Sequence, residues 1–247
     1  MLAAGAGAGE AAAASRKTNY YLLETYYLRQ STQLARMHEF MSQGFLPAAS
    51  RIHTGPKIFL EGVVAAHIPQ FVAVLGLGSL EELSTLRARL HQDEAFQKAF
   101  AAWENGPEPP YEHFSHTLLK ATDYSPEVDP SASKDKPRLF ELRVYHSPTW
   151  KQLAALHQRF NGPEIRIFHR VGVHPLLYTE TAIGPNMPNL TYLIPFENLA
   201  AREKAWDAFG ADAEWMRVRK ESIDQHGQIA SVIQVSLLKA APYSPVK

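Results

Sequence analysis

The nine residues LLKATDYSP, at positions 118–126, return as LLKAAPYSP at positions 237–245, which is 119 positions further along the chain. The same offset pairs residues 20–128 with residues 139–247 without a gap and gives 19 identical positions out of 109. Ordinary residue usage predicts about seven matches by chance. Because similarity at a fixed offset indicates repeated structure, we interpret the chain as two copies of one unit.

This repeat divides the chain into four predicted segments. Residues 1–18 are rich in alanine and glycine, and we expect a disordered leader that buries too little surface to fold. Residues 19–126 and 138–247 are the first and second repeats, and residues 127–137 (EVDPSASKDKP) have the composition of a solvated linker. The leader could be the end of an export signal that starts upstream, so the sequence allows either a cytoplasmic or an exported protein.

Each repeat is predicted to run strand–helix–strand–strand–helix–strand. In the second copy, residues 139–146 (LFELRVYH) alternate strictly between two faces, which is typical of a strand. Helices are predicted at residues 149–160, ending at Asn161-Gly162-Pro163, and at residues 199–223. This order is the ferredoxin-like βαββαβ motif, whose helices cover one sheet face only. The predicted fold is therefore α+β, with two ferredoxin-like repeats packed sheet to sheet as an intrachain dimeric α/β barrel.

The composition excludes several functional classes. Lys plus Arg and Asp plus Glu number 25 each, so no basic excess exists for binding nucleic acid. The chain has no cysteine, which excludes disulfides, thiolate zinc sites and cysteine nucleophiles. No apolar run reaches the roughly 18 residues of a membrane span. The remaining partners are a small-molecule ligand or further copies of the chain.

The motif FELRVY at residues 140–145, its weaker counterpart YLLETY at residues 21–26, and the closing LLKAxxYSP of both copies resemble the NIPSNAP family. This family lies within the larger group of dimeric α/β-barrel proteins. The resemblance implies the fold more firmly than an activity, because the biochemical activity of the family is poorly defined. Related barrels include cofactor-free monooxygenases and small-molecule-binding stress proteins. The first copy departs from the motif, with Glu24 where the second has Arg143.

The first strands carry polar residues on one face, and these are the first candidates for a site. Leu22, Glu24 and Tyr26 occupy the positions of Glu141, Arg143 and Tyr145. If the other face packs on the helices, this face points into the barrel. A buried charge requires a partner, so the sequence predicts a structural pair between Glu24 and Arg143. Alternatively, Arg143 with Tyr26 and Tyr145 binds an anionic or carbonyl-bearing ligand, since arginine offers a bidentate donor fork.

Two histidines are further candidates for ligand binding. His38 and His157 occupy equivalent positions on the first helix of each copy. They could equally be polar residues that face solvent. Neither has a second ligand at metal-binding spacing on its helix, so the sequence predicts no metal site. Phosphate-loop, nucleophile-elbow and complete dinucleotide motifs are missing, and we assign no cofactor and no catalytic residue.

These observations favour a protein that binds a small organic ligand in a cleft between sheet and helices. Such a protein should have an enclosed pocket of roughly 300 Å³ with a few convergent polar groups. One alternative is a non-catalytic scaffold or interaction module, which should have a filled barrel and an exposed apolar patch. The other alternative, from the resemblance, is an enzyme similar to the cofactor-free monooxygenases.

Overall fold

A computed structural model describes residues 17–130 and 138–247 of the chain. Residues 1–16 of the predicted leader and residues 131–137 of the predicted linker lie outside these ranges. Residues 17–130 are called the first half below, and residues 138–247 the second half. Within the described ranges, no helix is both long enough and apolar enough to cross a membrane.

Within the described residues, eight strands form one closed barrel in a mixed α+β fold. The strands are β1 (Tyr20–Tyr27), β2 (Lys57–Val64), β3 (Gln70–Leu77), β4 (His113–Ala121), β5 (Leu139–His146), β6 (Leu177–Ile183), β7 (Asn189–Phe196) and β8 (Val232–Ala240). Their order around the barrel is β1-β3-β2-β8-β5-β7-β6-β4. The halves meet at two antiparallel seams, where β2 pairs with β8 and β4 pairs with β6.

Helices cover the outside of the barrel. They are α1 (Gln33–Glu39), α2 (Leu46–Ile52), α3 (Leu80–Gln92), α4 (Glu94–Glu104), α5 (Trp150–Arg159), α6 (Ile165–Arg170), α7 (Leu199–Ala211) and α8 (Ala213–His226). Short π-helical segments join α1 to α2 at Phe40–Phe45 and α5 to α6 at Phe160–Glu164. The helix of the second half therefore continues past the predicted break at Asn161-Gly162-Pro163, with Gly162 leaving helical geometry (φ −94°, ψ −112°).

The predicted second helix of each half is in fact two helices. Asp93 separates α3 from α4, and Asp212 separates α7 from α8. Each aspartate has an extended backbone, and its side chain accepts a hydrogen bond from a backbone N–H of the next helix. The same carboxylates pair with Arg51 and Arg170. An N-cap aspartate in the middle of a helical pattern starts a new helix because it satisfies a free N–H group.

The barrel interior is filled with apolar side chains from both halves. They include Tyr21, Leu23, Ile58, Leu60, Val72, Val74, Leu119, Phe140, Leu177, Leu193 and Leu238. Each half thus shields the sheet surface that the other half would leave exposed, as two packed sheets require.

The polar face of β1 and β5 points away from this interior, which corrects the prediction. Tyr26 packs in the apolar cluster of the first half, and Tyr145 in that of the second, both on the helix side of the sheet. The physical reason is that the opposite face is almost purely apolar, with Phe140 inside the barrel. A filled apolar interior offers no partners for Glu24 or Arg143, whereas the helices do.

Candidate functional site

A set of buried polar side chains lies between the sheet and the helices of the second half. We call it the polar layer, and its members are Glu141, Arg143, Tyr145, Glu164, Tyr178 and Tyr192. Strand register sets its geometry, because Arg143 stands opposite Tyr192 on β7, and Tyr192 stands opposite Tyr178 on β6. Side chains directly opposite each other on one sheet face are close enough to interact. The rings of Tyr178 and Tyr192 lie 5.9 Å apart.

Glu141 anchors one end of the polar layer. It has no solvent exposure, and its Oε2 accepts hydrogen bonds from Arg202 Nε at 2.6 Å and Trp206 Nε1 at 2.9 Å. Its Oε1 lies 3.1 Å from Arg143 Nη1. A carboxylate that is fully out of water needs such partners, since its desolvation costs several kcal/mol. α7 supplies two of them, Arg202 and Trp206.

The Arg143 guanidinium is held in a defined position inside the layer. It stacks on the Trp206 ring, with 4.1 Å between Cζ and the ring centroid, and lies 5.3 Å from the Tyr145 ring centroid. Its Nη1 faces Glu141, but among the residues that the structure describes its Nε has no hydrogen-bond partner. Arg143 therefore has a donor left over for another group.

Glu164 reaches the layer from the π-helical segment and is fully buried. One carboxylate oxygen accepts a hydrogen bond from Arg159 Nε at 2.7 Å, and the other has no partner within the described ranges. Burial raises the pKa of the Glu164 carboxyl, and Arg159 and Arg143 offset part of that rise. Burial also raises the pKa of Tyr192 and Tyr178, so both tyrosines keep their protons at neutral pH.

Two clefts lie near the polar layer. A cleft of about 90 Å³ lies beside Tyr145, Arg159 and Trp215, under α8. A cavity of about 290 Å³ lies at the seam of β4 and β6, beside Tyr124 and His157. The Tyr124 and Tyr178 rings are 5.5 Å apart, so this seam cavity adjoins the layer. The smaller cleft therefore reaches the polar layer at Tyr145, whereas the seam cavity is separated from it by the Tyr124 ring.

The first half has no equivalent layer at the corresponding positions. Leu22, Phe45, Phe59 and Ala73 stand where the second half has Glu141, Glu164, Tyr178 and Tyr192. The first-half residues pack in an apolar cluster with the helices that cover them. A wider groove of about 390 Å³ lies on the surface of this half beside Arg36, Phe40 and Trp103, away from the polar layer.

The predicted pair between Glu24 and Arg143 does not form. Glu24 lies 2.7 Å from His116 Nε2 and accepts a hydrogen bond from Tyr26 at 3.2 Å, whereas Arg143 pairs with Glu141. Because both residues face their own helices, the filled barrel separates them. For the same reason Tyr26 does not join Arg143, and only Tyr145 of the two predicted tyrosines lies beside it.

The two predicted histidines occupy equivalent places at the two seams. His38 Nδ1 lies 3.0 Å from the Tyr243 hydroxyl, and His157 Nδ1 lies 2.7 Å from the Tyr124 hydroxyl. His157 borders the cavity of about 290 Å³. In the part of the chain that the structure describes, no group of three or more histidine or carboxylate side chains is placed to hold a metal ion.

Sequence reasoning missed Glu164, Tyr178 and Tyr192. Glu164 follows the Gly-Pro that indicated the end of a helix, and the two tyrosines look like ordinary strand residues. A position-by-position comparison of the halves carries the missing signal, because each of the three replaces an apolar residue of the first half.

Comparison with known proteins relates the second half to a family and the whole chain to a fold. The NIPSNAP family model matches residues 140–245. No curated protein sequence matches the chain significantly. Among solved structures, a candidate monooxygenase from Fusobacterium nucleatum is 8% identical with a TM-score of 0.58, covering 90% of this chain and 92% of its own. A candidate monooxygenase from Lactobacillus acidophilus is 11% identical (TM-score 0.54, covering 90% and 93%). An anthrone oxidase-like protein is 14% identical (TM-score 0.55, covering 91% and 92%).

These structural similarities, at low sequence identity, concern the fold alone. They extend over both halves, whereas the family match is confined to the half that contains the polar layer. The second half of this chain thus matches the NIPSNAP family model, and the whole chain is similar in fold to these solved barrel structures.

Proposed function

We propose that the protein binds a small organic molecule in the polar layer of the second half. The observation that carries this proposal is a set of buried polar atoms without partners among the described residues, namely Arg143 Nε, Glu164 Oε1 and the Tyr178 hydroxyl. Each such atom costs about 1–3 kcal/mol of stability if it stays unpaired. A bound ligand that hydrogen-bonds to these atoms removes this cost.

The comparison of the halves supports a functional reason for the layer. At four of the six positions the first half builds the same sheet–helix contact from apolar side chains, so the fold itself does not need polar ones there. We interpret the two halves as ferredoxin-like βαββαβ repeats of one ancestral unit. In that interpretation the second repeat holds the site, and the first supplies the other wall of the barrel.

The donors and rings in the layer suggest the chemical class of the ligand. Arg143 offers an N–H donor, and Tyr178 adds a hydroxyl that is un-ionised at neutral pH. The Tyr145 ring and the Trp206 ring flank the guanidinium. This arrangement fits an anionic or carbonyl-bearing molecule with an aromatic body, because arginine binds its oxygen while rings pack on its faces.

An enzymatic form of the proposal is an activity similar to that of the cofactor-free monooxygenases. The specific observation in its favour is Glu164, a buried carboxyl of raised pKa with one free oxygen beside the tyrosines. Such a group can accept a proton from a bound phenol-like or anthrone-like substrate. One structural neighbour is named as anthrone oxidase-like, which suggests anthrone as the substrate to test. Oxygen uptake with anthrone as substrate, absent in Glu164→Gln, is the test of this form.

A scaffold role remains the second candidate because of an exposed apolar strand. Val232, Ile233 and Val235 of β8 are each at least 40% exposed, and this part of β8 extends beyond its pairing with β2. The barrel interior is also filled. These are the features that an interaction module should have.

Titration of the protein with benzoate, an aromatic carboxylate, tests the binding proposal. Trp206 and Trp215 lie beside the layer, so their fluorescence should change on binding and give a dissociation constant. Arg143→Gln should weaken binding at least 10-fold, because the guanidinium loses its role as donor. The matched control is Glu24→Gln at the equivalent first-half position, which should leave the affinity unchanged.

Mass spectrometry of the purified protein under native conditions adds a second readout. A compound that is carried through purification by the parent protein and lost in Arg143→Gln supports the site. Saturation by benzoate that is equally weak in parent, Arg143→Gln and Glu24→Gln would contradict it.

A further inference from the structure

The two seams carry the same three side chains in the same arrangement. At one seam His157 of α5 lies between the Tyr124 hydroxyl, 2.7 Å from Nδ1, and Glu180 of β6, whose Oε2 is 3.5 Å from Nε2. At the other, His38 of α1 lies between the Tyr243 hydroxyl, 3.0 Å from Nδ1, and Glu61 of β2, 3.3 Å from Nε2. Each tyrosine comes from the half opposite to its histidine.

All six residues belong to identical positions of the two halves. Only 19 of 109 aligned positions are identical, yet His38 and His157, Glu61 and Glu180, and Tyr243 and Tyr124 are all retained. If each position is identical at the rate of 19 in 109, three independent positions are all identical in about one case in 200. The three side chains have therefore been kept as a set, whereas five of the six positions of the polar layer differ between the halves.

The two contacts of the His157 ring favour one placement of its proton. Nε2 faces the Glu180 carboxylate at 3.5 Å without a hydrogen bond of good geometry, so we place the proton of the neutral ring on Nε2, which leaves Nδ1 as an acceptor. The Tyr124 hydroxyl then donates to Nδ1. Burial lowers the pKa of His157 and raises the pKa of Tyr124, so that both are neutral near pH 7. In this arrangement the Glu180 carboxylate orients the His157 ring, and the ring can accept a proton from the Tyr124 hydroxyl.

The seam cavity of about 290 Å³ adds donors and acceptors around this set. Besides the three side chains it is lined by Lys120, Thr122, Asp123, Gln158 and Asn161. Lys120 Nζ lies 3.6 Å from Glu180 Oε1 and is more than half exposed, so its ammonium can reach a bound molecule. At the other seam, the positions equivalent to Asn161, Thr122 and Asp123 are occupied by Ser42, Ala241 and Pro242.

We infer that Tyr124, His157 and Glu180 form an acid–base site that removes and returns a proton next to a carbonyl in a small hydroxylated carbonyl compound. Hydroxyl groups of the compound suit the mixed amide, carboxylate and hydroxyl lining. Its carbonyl oxygen suits the Lys120 ammonium, which stabilises the negative charge that develops there. This site is separate from the polar layer, and the inference does not depend on the proposed function.

The proton transfers balance without an oxidant or a cofactor. The C–H bond next to the carbonyl breaks, its proton joins the Tyr124 oxygen, and the former hydroxyl proton of Tyr124 passes to His157 Nδ1. The compound becomes an enolate, and the histidine becomes an imidazolium paired with Glu180. The reverse transfers return a proton from the Tyr124 oxygen to the same face of the enolate carbon, and exchange of the tyrosine and histidine protons with solvent lets deuterium replace the original hydrogen.

Deuterium exchange into dihydroxyacetone in D₂O, followed by proton NMR, tests the inference with the full-length chain. The parent protein should accelerate loss of the C–H signal over buffer, and Tyr124→Phe or His157→Gln should lower the rate at least 100-fold, which is typical of losing an acid–base group. Lys120→Met should also lower it, and this exposed residue can be changed without loss of the fold. Tyr243→Phe removes the same hydrogen bond at the other seam and should leave the rate unchanged.

Two results would overturn the inference. The first is a parent rate equal to that of buffer. The second is equal rates in the parent, Tyr124→Phe and Lys120→Met, which would leave the three side chains with a purely structural role at both seams. Thermal unfolding of each variant identifies any loss of fold. If Tyr124→Phe or His157→Gln does not fold, the exchange rate of Lys120→Met decides whether the inference stands. Because benzoate binding at the polar layer is measured separately, either result is independent of the proposed function.

Discussion

The two halves cover the same sheet surface in opposite ways. In the first half, Glu24 stands opposite Ala73, which stands opposite Phe59, and the surrounding cluster is apolar. In the second half the corresponding row is Arg143, Tyr192 and Tyr178. The backbone pairing is the same, so the difference lies in side chains alone.

This difference teaches which residues the fold requires and which it tolerates. Hydrocarbon packing in the first half stabilises the sheet–helix contact through burial alone. The second half gives up part of that stabilisation to bury charges and hydroxyls, some without partners among the described residues. Proteins carry such destabilising groups mainly where they serve function. The NIPSNAP family model matches this same half.

The largest expected effect on stability comes from replacing the buried Glu141 carboxylate with an apolar side chain. Glu141→Leu introduces the residue that the first half has at Leu22, but it leaves Arg143 and Arg202 buried without their carboxylate. We expect a loss of about 3–5 kcal/mol in the free energy of unfolding, as for other broken buried ion pairs. Urea denaturation measures it. A loss below about 1 kcal/mol would mean that the layer is more hydrated than its burial indicates.

A smaller effect of opposite sign is expected at Tyr178. Tyr178→Phe introduces the residue of the first half, Phe59, and removes a buried hydroxyl that has no partner within residues 17–130 and 138–247. The variant should be more stable than the parent by about 1 kcal/mol, since an unsatisfied buried group is eliminated. Thermal unfolding tests this sign. A destabilised variant would show that the hydroxyl has a partner, and benzoate titration would then show whether that partner is the ligand.

The smallest effect is a pH dependence confined to the second half. Burial raises the pKa of Glu164 above that of the unfolded chain, so the native state binds the proton more tightly. The corresponding stability is fully present below the unfolded pKa and is lost as pH rises through the raised folded pKa. Parent and Glu164→Gln should therefore be similar in stability at low pH, and the parent should become the less stable of the two as pH rises. Urea denaturation between pH 4 and pH 8 measures the difference. The opposite trend would mean that Arg159 dominates over burial.

The sequence predicted a mixed α+β fold similar to the dimeric α/β-barrel proteins, and this prediction is confirmed. The predicted resemblance to the NIPSNAP family is also confirmed. Among the site residues, it identified Arg143 in the polar layer, Tyr145 at the cleft under α8 and His157 at the seam cavity. Their binding roles stay predictions. It assigned the wrong partner to Arg143, because alternation along a strand separates two faces without showing which one meets the helices.

The sequence by itself determined the features that depend on local pattern. Strand alternation, the helix periods and the offset of 119 are properties of consecutive residues, and they need no knowledge of distant contacts. Only the tertiary structure decided the orientation of the polar faces, the polar layer and the exchange of Tyr124 and Tyr243 between halves. Those features depend on closure of the barrel, which brings together residues far apart in the chain, and on the cost of burying charge, which selects the helix side for Glu141 and Arg143.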